Sequence, residues 1–193
     1  MRKIVLFLFF ISFVFSAESI LGQKYSERIT LKNEVLYVDS NTKKSFGNTL
    51  LNSSINTNNI YENFKVKEDY LCPIKGVKIN KHRDWLGFIE YEDGSILAIS
   101  SPKYTFALYN KEIQKKDNHI KNIYVTDYKT KNIINAKDAY YVFGSKVVSV
   151  GGDDVMPFAD EKSANEFLNN NSGKKIYRFD RMDKNFIDYL EMR

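Results

Sequence analysis

A single cysteine, Cys72, serves the whole chain of 193 residues. No intramolecular disulfide can form, so the fold must rest on an apolar core. The apolar run at the N-terminus, Ile4 to Phe15, is about a dozen residues long, short of the ~20 that a membrane-crossing helix needs. Charge of one sign is also scarce. The net charge is only +5, and Lys and Arg alternate with Asp and Glu without forming the basic patch or stripe that nucleic acid requires. The chain lacks a nucleophile elbow, an HExxH helix, a phosphate-binding loop and the glycine pattern of a dinucleotide site. An enzyme is therefore not expected.

What is present begins with the order of a secretory signal peptide. Met1-Arg2-Lys3 is followed by the apolar run and then by small residues at Ser16, Ala17 and Ser19. Residues 1–19 are read as this signal, with cleavage after Ser16, Ala17 or Ser19, and the chain as exported to the periplasm. No cysteine stands near these positions to be acylated. About 170 to 175 residues remain, enough for one compact domain or two small modules sharing a core. The charge falls to about +3 when Arg2 and Lys3 leave.

Residues 20–70 form an N-terminal extension rich in Asn, Ser, Thr and Lys. Glu34 to Val38 alternates as a strand does, Arg28 to Leu31 can pair with it, and the tract Asn48 to Asn59 reads as loop. From Leu71 the pattern is that of an α+β fold in which strand, strand, helix, strand occurs twice, over about 71–128 and 129–182. In the first unit Trp85 to Tyr91 and Ile96 to Ile99 are strands joined through Glu92-Asp93-Gly94. Ser101 caps a helix with Pro102 at its first position, and Ile123 to Asp127 closes the unit. In the second, Ala139 to Phe143, Val147 to Val150 and Val155 to Phe158 read as extended, Asp160 caps a helix running to Asn169, and Lys175 to Phe179 closes it. Asp183 to Arg193 spaces Phe186, Tyr189 and Leu190 as a short docking helix.

Several motifs carry a resemblance. Tyr124-Val125-Thr126-Asp127-Tyr128 is followed by Ala136 to Ser145 (AKDAYYVFGS), Pro157-Phe158-Ala159 and Ala164 to Phe167. Cys72-Pro73-Ile74-Lys75-Gly76-Val77 precedes Trp85, Asp93-Gly94 and Ser101-Pro102-Lys103. The chain from about Tyr70 to Arg178 resembles the NosL family, the copper-handling accessory proteins of nitrous oxide reductase. The resemblance implies a duplicated ββαβ fold over residues 71–193. Its family pattern is Cys-Pro-x-Cys-Gly-Met in the first unit and Met-Gly in the second. Here Lys75 replaces the second Cys, Val77 the Met, and Gly151-Gly152 stands where Met-Gly is expected. The same fold resembles the organomercurial lyases, which need a cysteine pair that this chain does not have.

Cu(I) is soft and favours thiolate and thioether sulfur, so the candidate metal ligands are Cys72 and Met156. Met156 can join Cys72 only if the glycines bend the strand to bring its sulfur near, and a ligand role leads one to expect an accessible Cys72. His82 and His119 lie in polar loops and read as solvent-exposed, and Met182 and Met192 as packing or surface residues. Asp127, at the end of a strand, reads as a carboxylate that caps a turn or ties the two units together by accepting backbone N–H groups. Asp153 and Asp154 read as a turn, because two acids do not supply the six or more oxygens of a calcium site. Glu90 and Glu92 read as solvated side chains of a surface strand.

Two functions follow. One is an exported accessory protein that binds Cu(I) and delivers it to a copper enzyme such as nitrous oxide reductase. The other is a metal-free module that docks an exported partner through its aromatic side chains, which make up 15% of the chain.

Overall fold

The computed structural model describes residues 70–193 apart from Asp93, together with the backbone of short strands between residues 27 and 51. The expected signal peptide and most of the 20–70 extension lie outside the described residues. Strand β1 (Glu27–Leu31) pairs antiparallel with β2 (Glu34–Val38), as the alternation leads one to expect, and β2 pairs with β3 (Ser45–Phe46). The Asn-rich tract is not all loop. Leu50–Leu51 forms β4, and Leu50 pairs with Ile96.

Trp85 does not begin a strand. Residues Ile79–Trp85 form 3-10 turns, consistent with the polar run Asn80 to Asp84, which has no alternating apolar face to lay on a sheet. Strand β5 (Gly87–Tyr91) then pairs with β6 (Ser95–Ile99), in the register Phe88 with Ala98 and Ile89 with Leu97. The connection turns at Gly94, whose φ of 81° suits glycine. Helix α1 (Pro102–Glu112) starts where Ser101 Oγ accepts the backbone N–H of Tyr104, with Pro102 at its first position. Strand β7 (Ile120–Thr126) pairs with β5 on its other side and is flanked in turn by β8 (Ile133–Asn135). The sequence gives no clear sign of β8, which is three residues with a single alternation. The sheet runs β4-β6-β5-β7-β8.

Strand β8 falls within the expected second unit, 129–182, yet joins the first sheet, and the elements after it follow the strand, strand, helix, strand order. Strand β9 (Tyr140–Phe143) lies between β10 (Val155–Phe158) and β11 (Lys175–Tyr177), all antiparallel. The expected strand Val147 to Val150 is absent. Ser149 makes only an isolated bridge to Gly152, so this stretch is a tight turn. Helix α2 (Glu161–Asn170) is capped by Asp160, whose carboxylate accepts the Ser163 N–H at 2.8 Å. Strand β11 ends at Tyr177, and Phe179–Arg181 turns into a short 3-10 segment. Helix α3 (Lys184–Glu191) is capped by Asp183 and buries Phe186, Ile187 and Leu190.

Helix α1 lies between the two sheets, and its residues from Pro102 to Leu108 are all buried. On β5, Gly87 lies against Thr105 and Tyr91 Oη donates to Glu112, so Gly87, Ile89 and Tyr91 face α1. Phe106 meets Tyr141 of β9 at 5.4 Å between ring centres on the helix's other side. The larger apolar cluster surrounds α1 and includes α3. A smaller one, built from Val142, Met156, Phe158, Ala164 and Phe167, fills the space between β9, β10 and α2.

Candidate functional site

Cys72 sits in a tight turn. Its N–H donates to Val77 O at 2.8 Å, its carbonyl accepts from the Gly76 N–H at 2.8 Å, and Gly76 has a φ of 65°. The next pair outward, Leu71 and Lys78, forms a bridge. This geometry follows from Gly76, which alone in the turn takes a left-handed backbone without strain. The thiol is wholly buried in the larger cluster, with Tyr104, Phe186 and Leu190 among its members. The accessible Cys72 expected of a ligand is thus not what the structure holds.

Met156 is wholly buried too, but on β10 it belongs to the smaller cluster with Val142, Phe158 and Phe167. Its neighbour Val155 belongs to the cluster that contains Cys72. Successive side chains on a strand face opposite sides, so the thioether of Met156 is directed away from Cys72. Gly152 does turn the chain, with a φ of 82°. The turn ends before β10 and does not reverse that alternation, so the sequence's candidate pair is not brought together.

What the structure does bring together lies around Tyr104. Lys75, in the Cys72 turn, places Nζ 5.1 Å from the centre of the Tyr104 ring, and Lys103 places its own at 5.4 Å. Gly151 lies against the edge of the same ring. A Cβ on Gly151 would meet two ring carbons of Tyr104 at 2.9 and 3.0 Å and its hydroxyl at 3.1 Å. A methionine therefore has no room at 151 unless Tyr104 moves.

Behind Tyr104 is a polar hub. Lys103 is 2% exposed, and its Nζ donates to Gly151 O at 2.7 Å and pairs with Glu191 Oε2 at 2.8 Å. Asp154, read from sequence as part of an open turn, is buried. It accepts the backbone N–H of Lys103 and of Val155, each at 2.8 Å, and the Ser149 hydroxyl at 2.6 Å. Burial pushes the Asp154 carboxyl above the ordinary aspartate range, with those hydrogen bonds and Lys103 working against it. Asp153 remains at the surface and pairs with Arg193 at 3.1 Å.

Glu90 also departs from expectation. It lies on β5, between two neighbouring strands, and is 6% exposed. It accepts from Lys121 Nζ at 2.9 Å, Asn122 Nδ2 at 3.0 Å and Tyr124 Oη at 3.0 Å. Burial works to raise its carboxyl, and the three donors outweigh this and hold it below the usual glutamate range. Burial and the Glu90 carboxylate together push the Tyr124 phenol up to about 12. Glu92, in contrast, is exposed beside His119 at 3.3 Å.

His119 is exposed as expected. His82 is partly buried, and desolvation followed by the nearby Lys81 lowers its imidazole below the ordinary histidine value. It lines a recess of about 230 Å³ with Asn80, Arg83 and Trp85. Met182 is buried and Met192 is exposed. Among the described residues, no three His, Cys, Asp or Glu side chains gather as a metal site, and no helix is long and apolar enough to cross a membrane.

The family model that matches this chain is NosL, over residues 63–187. No curated protein matches. Among solved structures, the chain is similar to the crystal structure of the copper chaperone NosL from Shewanella denitrificans. The two are 22% identical, with a TM-score of 0.54, and the match covers 62% of this chain and 94% of that one. At that identity the likeness speaks for the fold.

Proposed function

The chain belongs to the NosL family, and on that footing we propose that it is an exported accessory protein that handles copper. The observation that carries this reading is a family match running through both units, from ahead of the Cys72 turn into α3. A solved structure of the same fold is described as a copper chaperone, which agrees with it. The N-terminal order of basic, apolar and small residues supports export to the periplasm. The cargo is Cu(I), and the client is a copper enzyme such as nitrous oxide reductase.

Cys72 is the chain's one thiol and so its first soft donor. Because the thiol is buried, capture requires the Cys72–Val77 turn to open. Met156 faces the other cluster and serves packing in the closed form. Further sulfur then comes from the protein that hands the ion over or receives it, which suits a carrier that must release its metal.

A second reading is favoured by a specific observation. Cys72 and Met156 are buried in separate clusters, and Lys75 and Gly151 meet at Tyr104, where sulfur donors would be expected from the family pattern. On this reading the protein is a metal-free module that binds an exported partner.

Competition for Cu(I) with a chromophoric chelator separates the two, using the signal-free protein beside Cys72→Ser and Met156→Leu. The copper reading expects one-to-one binding that Cys72→Ser abolishes and Met156→Leu keeps. If the wild-type protein withdraws no copper from the chelator, the carrier reading fails and the metal-free module stands.

A further inference from the structure

One buried ammonium joins three parts of the chain that are far apart in sequence. Lys103 Nζ, in the first turn of α1, reaches Gly151 O in the turn before β10 and the Glu191 carboxylate at the end of α3. The same turn is tied to α1 by the Lys103 N–H on Asp154 and to the end of the chain by Arg193 on Asp153. Asn110 of α1 adds a bond from Nδ2 to Met182 O at 2.9 Å, just ahead of α3. Tyr104, next to Lys103, is wholly buried and touches both Gly151 and Lys75 of the Cys72 turn. A contiguous set of contacts therefore runs from Glu191 through Lys103 and Tyr104 to the turn that holds the thiol.

We infer that Lys103 and Glu191 form a latch that holds α3 against the core, and that its release admits solvent or a partner to Cys72. The apolar face of α3, Phe186, Ile187 and Leu190, belongs to the same cluster as Cys72, so lifting α3 uncovers one boundary of that cluster. The two halves of the latch are unequal. The Lys103 side chain is 2% exposed and the Glu191 side chain 23%, with the paired Oε2 itself buried, so the charge pair is closed to solvent while α3 is seated. Once it opens, the ammonium keeps the Gly151 carbonyl and the face of the Tyr104 ring and loses the carboxylate it pairs with. A buried charge without its counterion is costly, which favours α1 and the 149–154 turn loosening together with α3. Lys103 and Gly151 lie within the family match, which ends at residue 187, and Glu191 and Arg193 lie past it.

The inference does not depend on copper, and its readout is the thiol itself. Cys72 labelling by Ellman's reagent is followed at increasing urea below the unfolding transition, in the wild-type protein, in Glu191→Gln, and in Phe158→Leu as a control that weakens the smaller cluster away from the latch. The latch expects slow labelling of the wild type and at least tenfold faster labelling of Glu191→Gln. That faster rate should change little with urea, as a local opening does. The control should label in proportion to its loss of global stability. Fast labelling of the wild type overturns the latch, as does a Glu191→Gln rate equal to it. A Glu191→Gln rate that climbs with urea as steeply as global unfolding overturns it too.

Discussion

Asp127, at the end of β7, accepts the backbone N–H of Ala159, just past β10, at 3.3 Å and so joins the two sheets through one carboxylate. The same side chain takes the N–H groups of Lys129 and Thr130 and the Thr130 hydroxyl. Beside it the Tyr128 N–H reaches Pro157 O at 2.8 Å. Buried donors left unpaired cost about 1 to 3 kcal/mol, and Asp127 is 2% exposed. Asp127→Ala should lose about 3 kcal/mol in urea unfolding, in a single transition because both units depend on the carboxylate. Asp127→Asn, which keeps one acceptor oxygen, should lose about half as much. A loss confined to one of two separable transitions would show that the units fold independently of this contact.

Gly87 allows α1 to lie directly on the first sheet. A Cβ there would stand 2.1 Å from Thr105 Oγ1 and 2.8 Å from Thr105 Cβ. The obstacle is the root of a side chain on a buried helix, which cannot swing aside. Gly87→Ala should therefore destabilise by about 3 kcal/mol, the upper part of the usual range for overpacking. Adding Thr105→Ala removes the closer contact and leaves the 2.8 Å one, so rescue in thermal melts should be partial. Full rescue would mean that the helix backs away more easily than its burial implies.

The capping chemistry made much of this fold legible. Ser101 with Pro102 and Asp160 each mark a helix start that the structure keeps, because a side-chain acceptor ahead of the orphan N–H groups is a local signal; Asp183 caps α3 in the same way, though from the sequence only the apolar spacing after it is read. Asp127 was legible for the same reason. Glu90 was not, since its burial depends on β7 supplying Lys121, Asn122 and Tyr124 from 31 to 34 residues away. Cys72 could be singled out, yet it is buried in a cluster to which residues of α1 and α3, distant in sequence, also belong. The Lys103–Glu191 pair spans most of the domain, and a lysine at a helix start gives no sign of its partner. Local signals mark the helix caps and most strands but not β4, β8 or the turn at Ser149 to Gly152, and long-range packing decided which polar groups are buried.

Glu90 should show its worth only above the acid range. Its carboxyl is held below the ordinary glutamate value in the folded chain, so folding favours the ionised form. The stabilisation is complete above the unfolded value and is lost as pH falls through the folded one. Comparing the wild type with Glu90→Gln by urea unfolding should give a wild-type advantage of about 1 to 2 kcal/mol near neutrality. That advantage should shrink on acidification. An advantage that stays constant into strong acid would mean that charge on Glu90 contributes nothing and that the bonds from Asn122 and Tyr124 alone matter.

Asp154 should behave in the opposite sense. Burial raises its carboxyl above the ordinary aspartate value, so the folded chain holds the proton more tightly than the unfolded chain. Stability linked to this group is greatest below the unfolded value and falls as pH rises through the interval up to the folded one. Asp154→Asn is a fair probe. Its amide oxygen can still accept from Lys103 and Val155, and its amide nitrogen can donate to the Ser149 hydroxyl in place of the bond that hydroxyl now gives. The stability of the wild type relative to Asp154→Asn should therefore decline across that interval, while its stability relative to Glu90→Gln rises from acid towards neutrality. If the Asp154 difference instead grows with pH, the Ser149, Val155 and Lys103 donors outweigh burial, and this aspartate belongs with Glu90 among the carboxylates that the fold holds ionised.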